Sequence, residues 1–182
     1  MADASILREP GKVVADVLIS EMGLDDAHCV LGDQPWPIPP DTALYISVFE
    51  SGPKIIGLKT EMDDSNPPRE IQSGSGLYDV RIELYSLVPG KEARTRRMEV
   101  GMALASFAAQ QAMAASSCQI SRILEPVDAS ESEGAGQVFK YVIHVNVTAL
   151  FQKIKTSMLY FDKFNGATED GTANPPQETI NG

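Results

Sequence analysis

Cysteine, histidine and tryptophan are nearly missing from this chain of 182 residues, which has two, two and one of them. Two cysteines, Cys29 and Cys118, cannot build a disulfide framework, and they fit a chain made in a reducing cytoplasm. Two histidines leave few groups for acid–base or metal chemistry. No GxxxxGK[ST], GxSxG or HExxH occurs, and no GxGxxG follows a strand pattern. The chain has no stretch of 18 uncharged apolar residues, so no transmembrane helix is expected. Its first residues, MADASILREPGKVV, have no apolar run of signal-peptide length. Lys and Arg are outnumbered 15 to 25 by Asp and Glu, and the net charge of −10 argues against a general nucleic-acid binder. It does not exclude a protein past which DNA slides without sticking.

What is present suits one domain. Hydrophobic residues make up 43% of the chain, enough for a sizeable core. Pro10 at a helix start, apolar Val13, Val14, Val17 and Leu18 at three-to-four spacing, and Gly23 as a stop predict a helix over 10–22. Residues 23–41 read as a long connection. Within it, Gly32 to Pro40 carries four prolines around Trp36, a segment too proline-rich for a sheet interior. A strand is expected over 42–50, with an antiparallel partner over 54–62. Residues 63–76, with prolines and Gly/Ser pairs, read as a long hairpin tip. From Leu77 to Val88 the pattern alternates: Tyr78, Val80, Ile82 and Leu84 on one face, Asp79, Arg81 and Glu83 on the other.

A basic-then-alanine-rich segment, Lys91 to Ser117, predicts one long helix packed on the sheet through Met98, Met102, Ala105 and Ala109. A strand over 118–127, an acidic loop over 128–136 and a strongly alternating strand over 139–151 follow. Residues 156–164 suit a short strand or arm, and 165–182 a flexible tail. The expectation is an α+β domain over 1–164, with a C-terminal arm from about 152. Its sheet is mostly antiparallel, of about five strands with two helices in the order α-β-β-β-α-β-β.

Two sets of residues are candidates for function. Lys91, Arg94, Arg96 and Arg97 crowd a helix start, where the macrodipole favours acids instead, so an outside acidic group is called for. With Trp36, a possible anchor, Arg94, Arg96 and Arg97 are the expected subunit or partner contacts. The other set is His28, Cys29, Cys118 and His144, of suitable kinds for a metal but without ligand spacing. No catalytic, cofactor-binding or metal residue is assigned.

The order of segments resembles one family. GDQPWPIPPDTALYISVFE leads into a long hairpin; DVRIELYSLVPG leads into an arginine-bearing, alanine-rich helix; two strands close the unit. This resembles the neck or tail terminator proteins of long-tailed bacteriophages over about residues 10–152. The resemblance implies a virion protein assembled in the host cytoplasm as a ring, usually of six copies. Such a ring caps the tail tube and faces the head-side connector, beside sheath proteins where the tail is contractile, while DNA passes through its lumen. It implies no enzyme activity, cofactor or membrane. It places the family's roles on the hairpin at 63–76, the loop at 128–136 and the arm after Phe151. The alternatives are a small cytoplasmic metal-binding or enzymatic domain using the His and Cys residues, and a non-viral adaptor binding partners through Trp36.

Overall fold

The structure, a computed structural model, describes residues 9–32, 43–64, 68–87, 92–133 and 136–155. Helix α1 (Pro10–Met22) has Pro10 in its first turn and ends at Gly23, whose φ of 63° is the left-handed cap that glycine adopts without strain. It is followed by β1 (Cys29–Leu31), β2 (Tyr45–Glu50), β3 (Lys54–Met62) and β4 (Glu70–Leu87). Helices α2 (Glu92–Ala105) and α3 (Phe107–Ala115) come next, then β5 (Cys118–Ile123), β6 (Val127–Asp128), β7 (Glu131–Glu133) and β8 (Gly136–Lys155). The fold is α+β. One sheet runs β1-β2-β4-β8-β5, with β3 added to β4 and the short β6 and β7 added to β8. Only β1 and β2 are parallel among the described pairs.

The sheet is built on two very long strands. β4 and β8 pair antiparallel from Glu70↔Lys155 to Leu87↔Val138. β2 covers the other edge of β4 over 80–85, and β3 covers it over 70–77. The alternation expected from Tyr78 onward is present: Val80, Ile82 and Leu84 are buried with Tyr141, Ile143 and Val145 of β8. Helix residues Val14, Leu18, Val100, Leu104 and Met113 complete this core. Beyond Gly76 and Ala149, where the β5 pairing ends, the ladder continues as a three-stranded arm of β3, β4 and β8.

Several expectations are corrected. Residues 70–76 are strand, not hairpin tip. Gln72-Ser73-Gly74-Ser75-Gly76 has poor strand composition, but it is paired on both sides, and sheet context overrides propensity. Gly74 has a local reason to lack a side chain: an added Cβ would lie 2.4 Å from the Phe151 ring. The 91–117 helix is two helices. Ser106, extended at φ −64° and ψ 159°, breaks it, and its hydroxyl accepts the Ala109 N–H at the start of α3. A three-residue strand, β1, lies in the expected 23–41 connection, β7 lies in the acidic loop, and the expected 118–127 strand stops at Ile123 before β6. The sheet therefore has eight described strands, not five. The Trp36 segment, Lys91 and the 156–182 stretch lie outside the described residues.

Candidate assembly interface

The arginine cluster divides into three different environments. Arg96 is committed within the chain. Its guanidinium donates to Met22 O at 2.8 Å and to both oxygens of Glu99, at 2.6 and 3.1 Å. It thereby satisfies a carbonyl at the end of α1, where a cation also complements the helix dipole. The Glu99 carboxyl is held below its usual range, chiefly by this hydrogen bond. Arg97 lies over the Tyr141 ring, 5.3 Å from its centroid, and also donates to Arg94 O. Arg94 is exposed and makes no ion pair among the described residues. Its charge helps to keep Asp128 below the usual carboxylate range, behind the larger effect of hydrogen bonds from Ser130.

The face that α2 turns to the sheet also differs from expectation. Ala93, Val100, Ala103 and Leu104 are buried, whereas Met98 and Met102 are 61% and 74% exposed and Ala105 is exposed too. Of the four expected contacts, only Ala109 of α3 is buried. Arg94, Met98 and Met102 stand at i, i+4 and i+8, so they form one outward stripe. Phe107, at 73% exposed, extends this apolar surface onto α3. Beside it, the α2–α3 elbow and β5 enclose an open groove of about 680 Å³ lined by Leu104, Met113, Ile120 and Ile123.

A second apolar surface lies on the arm. All of β3 is exposed. Its register sets Ile55 opposite Gly76, Leu58 opposite Gly74 and Met62 opposite Glu70, with a bulge at Ile56. Residues opposite one another share a face, so Ile55, Leu58 and Met62 continue the side of β4 that carries Val80 and Ile82. There are no described helices over them: they are 57%, 73% and 47% exposed. Sequence reasoning placed β3 but missed this surface, because it took residues 63–76 as a tip and so gave β3 no extended partner.

The opposite side of the sheet carries a polar network. Glu83 is buried, and its carboxylate meets Arg81 Nε at 3.2 Å, Lys140 Nζ at 3.2 Å and the Tyr85 hydroxyl. Burial and the Glu83 carboxylate push the Tyr85 phenol upward. Arg81 also stacks over Phe49, and Asp79 meets His144 Nδ1 at 3.1 Å across the strands. Each charge has a nearby partner, so the network reads as structural satisfaction of the sheet's polar side.

The His and Cys candidates are not brought together. Cys29 lies on β1 and Cys118 on β5, the two ends of the strand order. Both are free and buried, and burial pushes the Cys29 thiol up to about 12. His28 stacks on Tyr45 and pairs with Asp25, whereas His144 stands on the polar side with Asp79. Among the described residues, no three His, Cys, Asp or Glu side chains are grouped to hold a metal. No helix among the described residues is long and apolar enough to cross a membrane. A scan against protein-family models finds no match for this chain, and a search of curated proteins finds none.

Proposed function

We propose that the chain is a structural assembly protein: one subunit of a closed ring, of six copies as in the family it resembles, at the neck of a long-tailed phage. In this reading the ring caps the tail tube and offers its other side to the head-side connector, and DNA passes through the lumen without specific binding. The observation that carries the reading is the pair of separate apolar surfaces, Met98–Met102–Phe107 on the helices and Ile55–Leu58–Met62 on the arm. Exposed patches of this kind mark interaction sites. Two different patches on one subunit suit a head-to-tail contact, which closes into a ring when the rotation per step allows it. The net charge of −10 suits a passage that should not retain phosphate.

The test adds the purified chain to tail tubes that lack a terminator and images the tube ends by electron microscopy. A ring at one tube end, with tube length fixed thereafter, is the expected result. Tubes that stay bare and continue to lengthen at saturating protein rule the function out.

A further inference from the structure

The two apolar surfaces also match each other in order and charge. On α2 the stripe runs Arg94, Met98, Met102, a cation followed by two apolar side chains. Each step covers four residues of helix, about 6 Å. On the arm, Leu58 and Met62 are separated by four strand residues, about 13 Å, and the exposed Asp64 follows them. Asp64 makes no ion pair among the described residues, unlike its neighbour Glu61, which meets Lys59 at 2.6 Å. One surface thus reads apolar, apolar, acid, and the other reads apolar, apolar, base. The α2 stripe has little side-chain bulk beside it. An added Cβ at Gly101, beside the stripe, would have nothing within 4 Å, whereas on the arm the Phe151 ring fills the space over Gly74, opposite Leu58.

We propose that the arm of one copy lies along α2 of the next. Met62 covers Met98 and Met102, Leu58 reaches past them toward Phe107, and Asp64 meets Arg94. Arg94, which makes no ion pair among the described residues, then gains one from the neighbouring subunit. The contact is heterologous, because each copy gives its arm to one neighbour and its α2 stripe to another. This deepens the ring reading and rests on it.

The test uses full-length chains and sedimentation velocity over a range of concentrations. Leu58→Glu and Met102→Glu alter side chains that are 73% and 74% exposed, so circular dichroism and melting should match the wild type. Each variant alone is expected to stay monomeric where the wild type associates. Mixed at equal concentration, they should form a dimer and nothing larger: the Met102→Glu copy keeps an intact arm, and the Leu58→Glu copy keeps an intact stripe. Arg94→Asp or Asp64→Arg should each weaken association about tenfold, and the doubly exchanged chain should recover it. Single variants that assemble like the wild type overturn this contact and leave the ring reading standing. A mixture that stays monomeric, or a wild type monomeric at every concentration, also overturns the contact. Tail-tube capping then decides the ring reading separately.

Discussion

The Glu50 carboxylate at the end of β2 accepts the Gly11 N–H at 2.5 Å, 39 positions away in sequence. α1 has no side-chain cap of its own, so a strand residue satisfies one of its orphan donors. Replacing Glu50 with Ala should lower stability by about 1 kcal/mol, the usual value of an N-cap, in urea titrations. Burial raises the Glu50 carboxyl above its ordinary value of 4.5, so the fold favours its protonated form. Its contribution is therefore most favourable below about pH 4.5 and declines as pH rises through the raised value. Glu50→Gln keeps an acceptor without the charge. Its stability relative to wild type should improve from pH 4 to pH 7, and a constant difference would refute the assignment.

Arg96 and Arg94 should separate cleanly when mutated. Arg96→Ala removes the bonds to Met22 O and Glu99, so it should lower the stability of the monomer by about 1–2 kcal/mol. Arg94→Ala should leave the melting temperature unchanged and affect association only. The Glu99 carboxyl is held below 4.5, so the Arg96–Glu99 contribution is present above that pH and is lost on acidification. Thermal melts of both variants at pH 7 and pH 3.5 check this, with the Arg96 penalty shrinking at the lower pH.

Glu83 is a buried carboxylate serving Arg81, Lys140 and Tyr85. Glu83→Ala should cost about 2 kcal/mol in a denaturant titration. That is below the value for breaking a fully buried pair, because the side chains of Arg81 and Lys140 are 44% and 30% exposed. A loss under about 0.5 kcal/mol would place the network among ordinary surface pairs.

Gly74 and Phe151 form one packing unit of the arm. Gly74→Ala would press on the Phe151 ring at 2.4 Å and on Gly57 O at 2.9 Å. It should open the arm locally, read as faster amide exchange over 54–62 and 70–76 with the core residues 80–84 unchanged. Adding Phe151→Ala relieves the ring clash but not the backbone one, so recovery should be partial.

The two thiols should resist modification. With the Cys29 thiol raised to about 12, thiolate is scarce at pH 8, and both cysteines are buried. A thiol-specific reagent should label neither within minutes in native buffer and both in denaturant. Rapid native labelling of either would contradict the packing of β1 or β5 against the helices.

Much of the fold is legible in local pattern. Pro10, Gly23 and the valine spacing define α1, and the alternation from Tyr78 predicts which residues of β4 enter the core. What was misread depends on partners far along the chain. Gln72 to Gly76 forms a strand only because β3 and β8 flank it, and Ser106 divides an alanine-rich segment that would otherwise pass as one helix. The interface candidates show the same limit. Arg94 and Arg96 are two residues apart in a single basic run, yet one is spent on Met22 O and the other faces solvent. Met98 and Met102 are expected inward, yet both are exposed. The inner face is made instead by Ala93, Val100, Ala103 and Leu104, and a helix with so little apolar asymmetry gives no sequence signal for that choice.

The pairing of β4 with β8 has a consequence for the order of events in folding. Its outermost contact joins Glu70 to Lys155, 85 residues apart, while α2, α3 and β5 to β7 lie in the intervening chain. Loop closure across such a span is entropically costly, so the ladder gains most by starting at its inner end, near Leu87 and Val138, and closing outward. The arm is then the last part of the ladder to form. Its exposed apolar side appears after the core has already closed, so in the ring we propose the surface offered to a neighbouring copy forms only once each copy has its own fold.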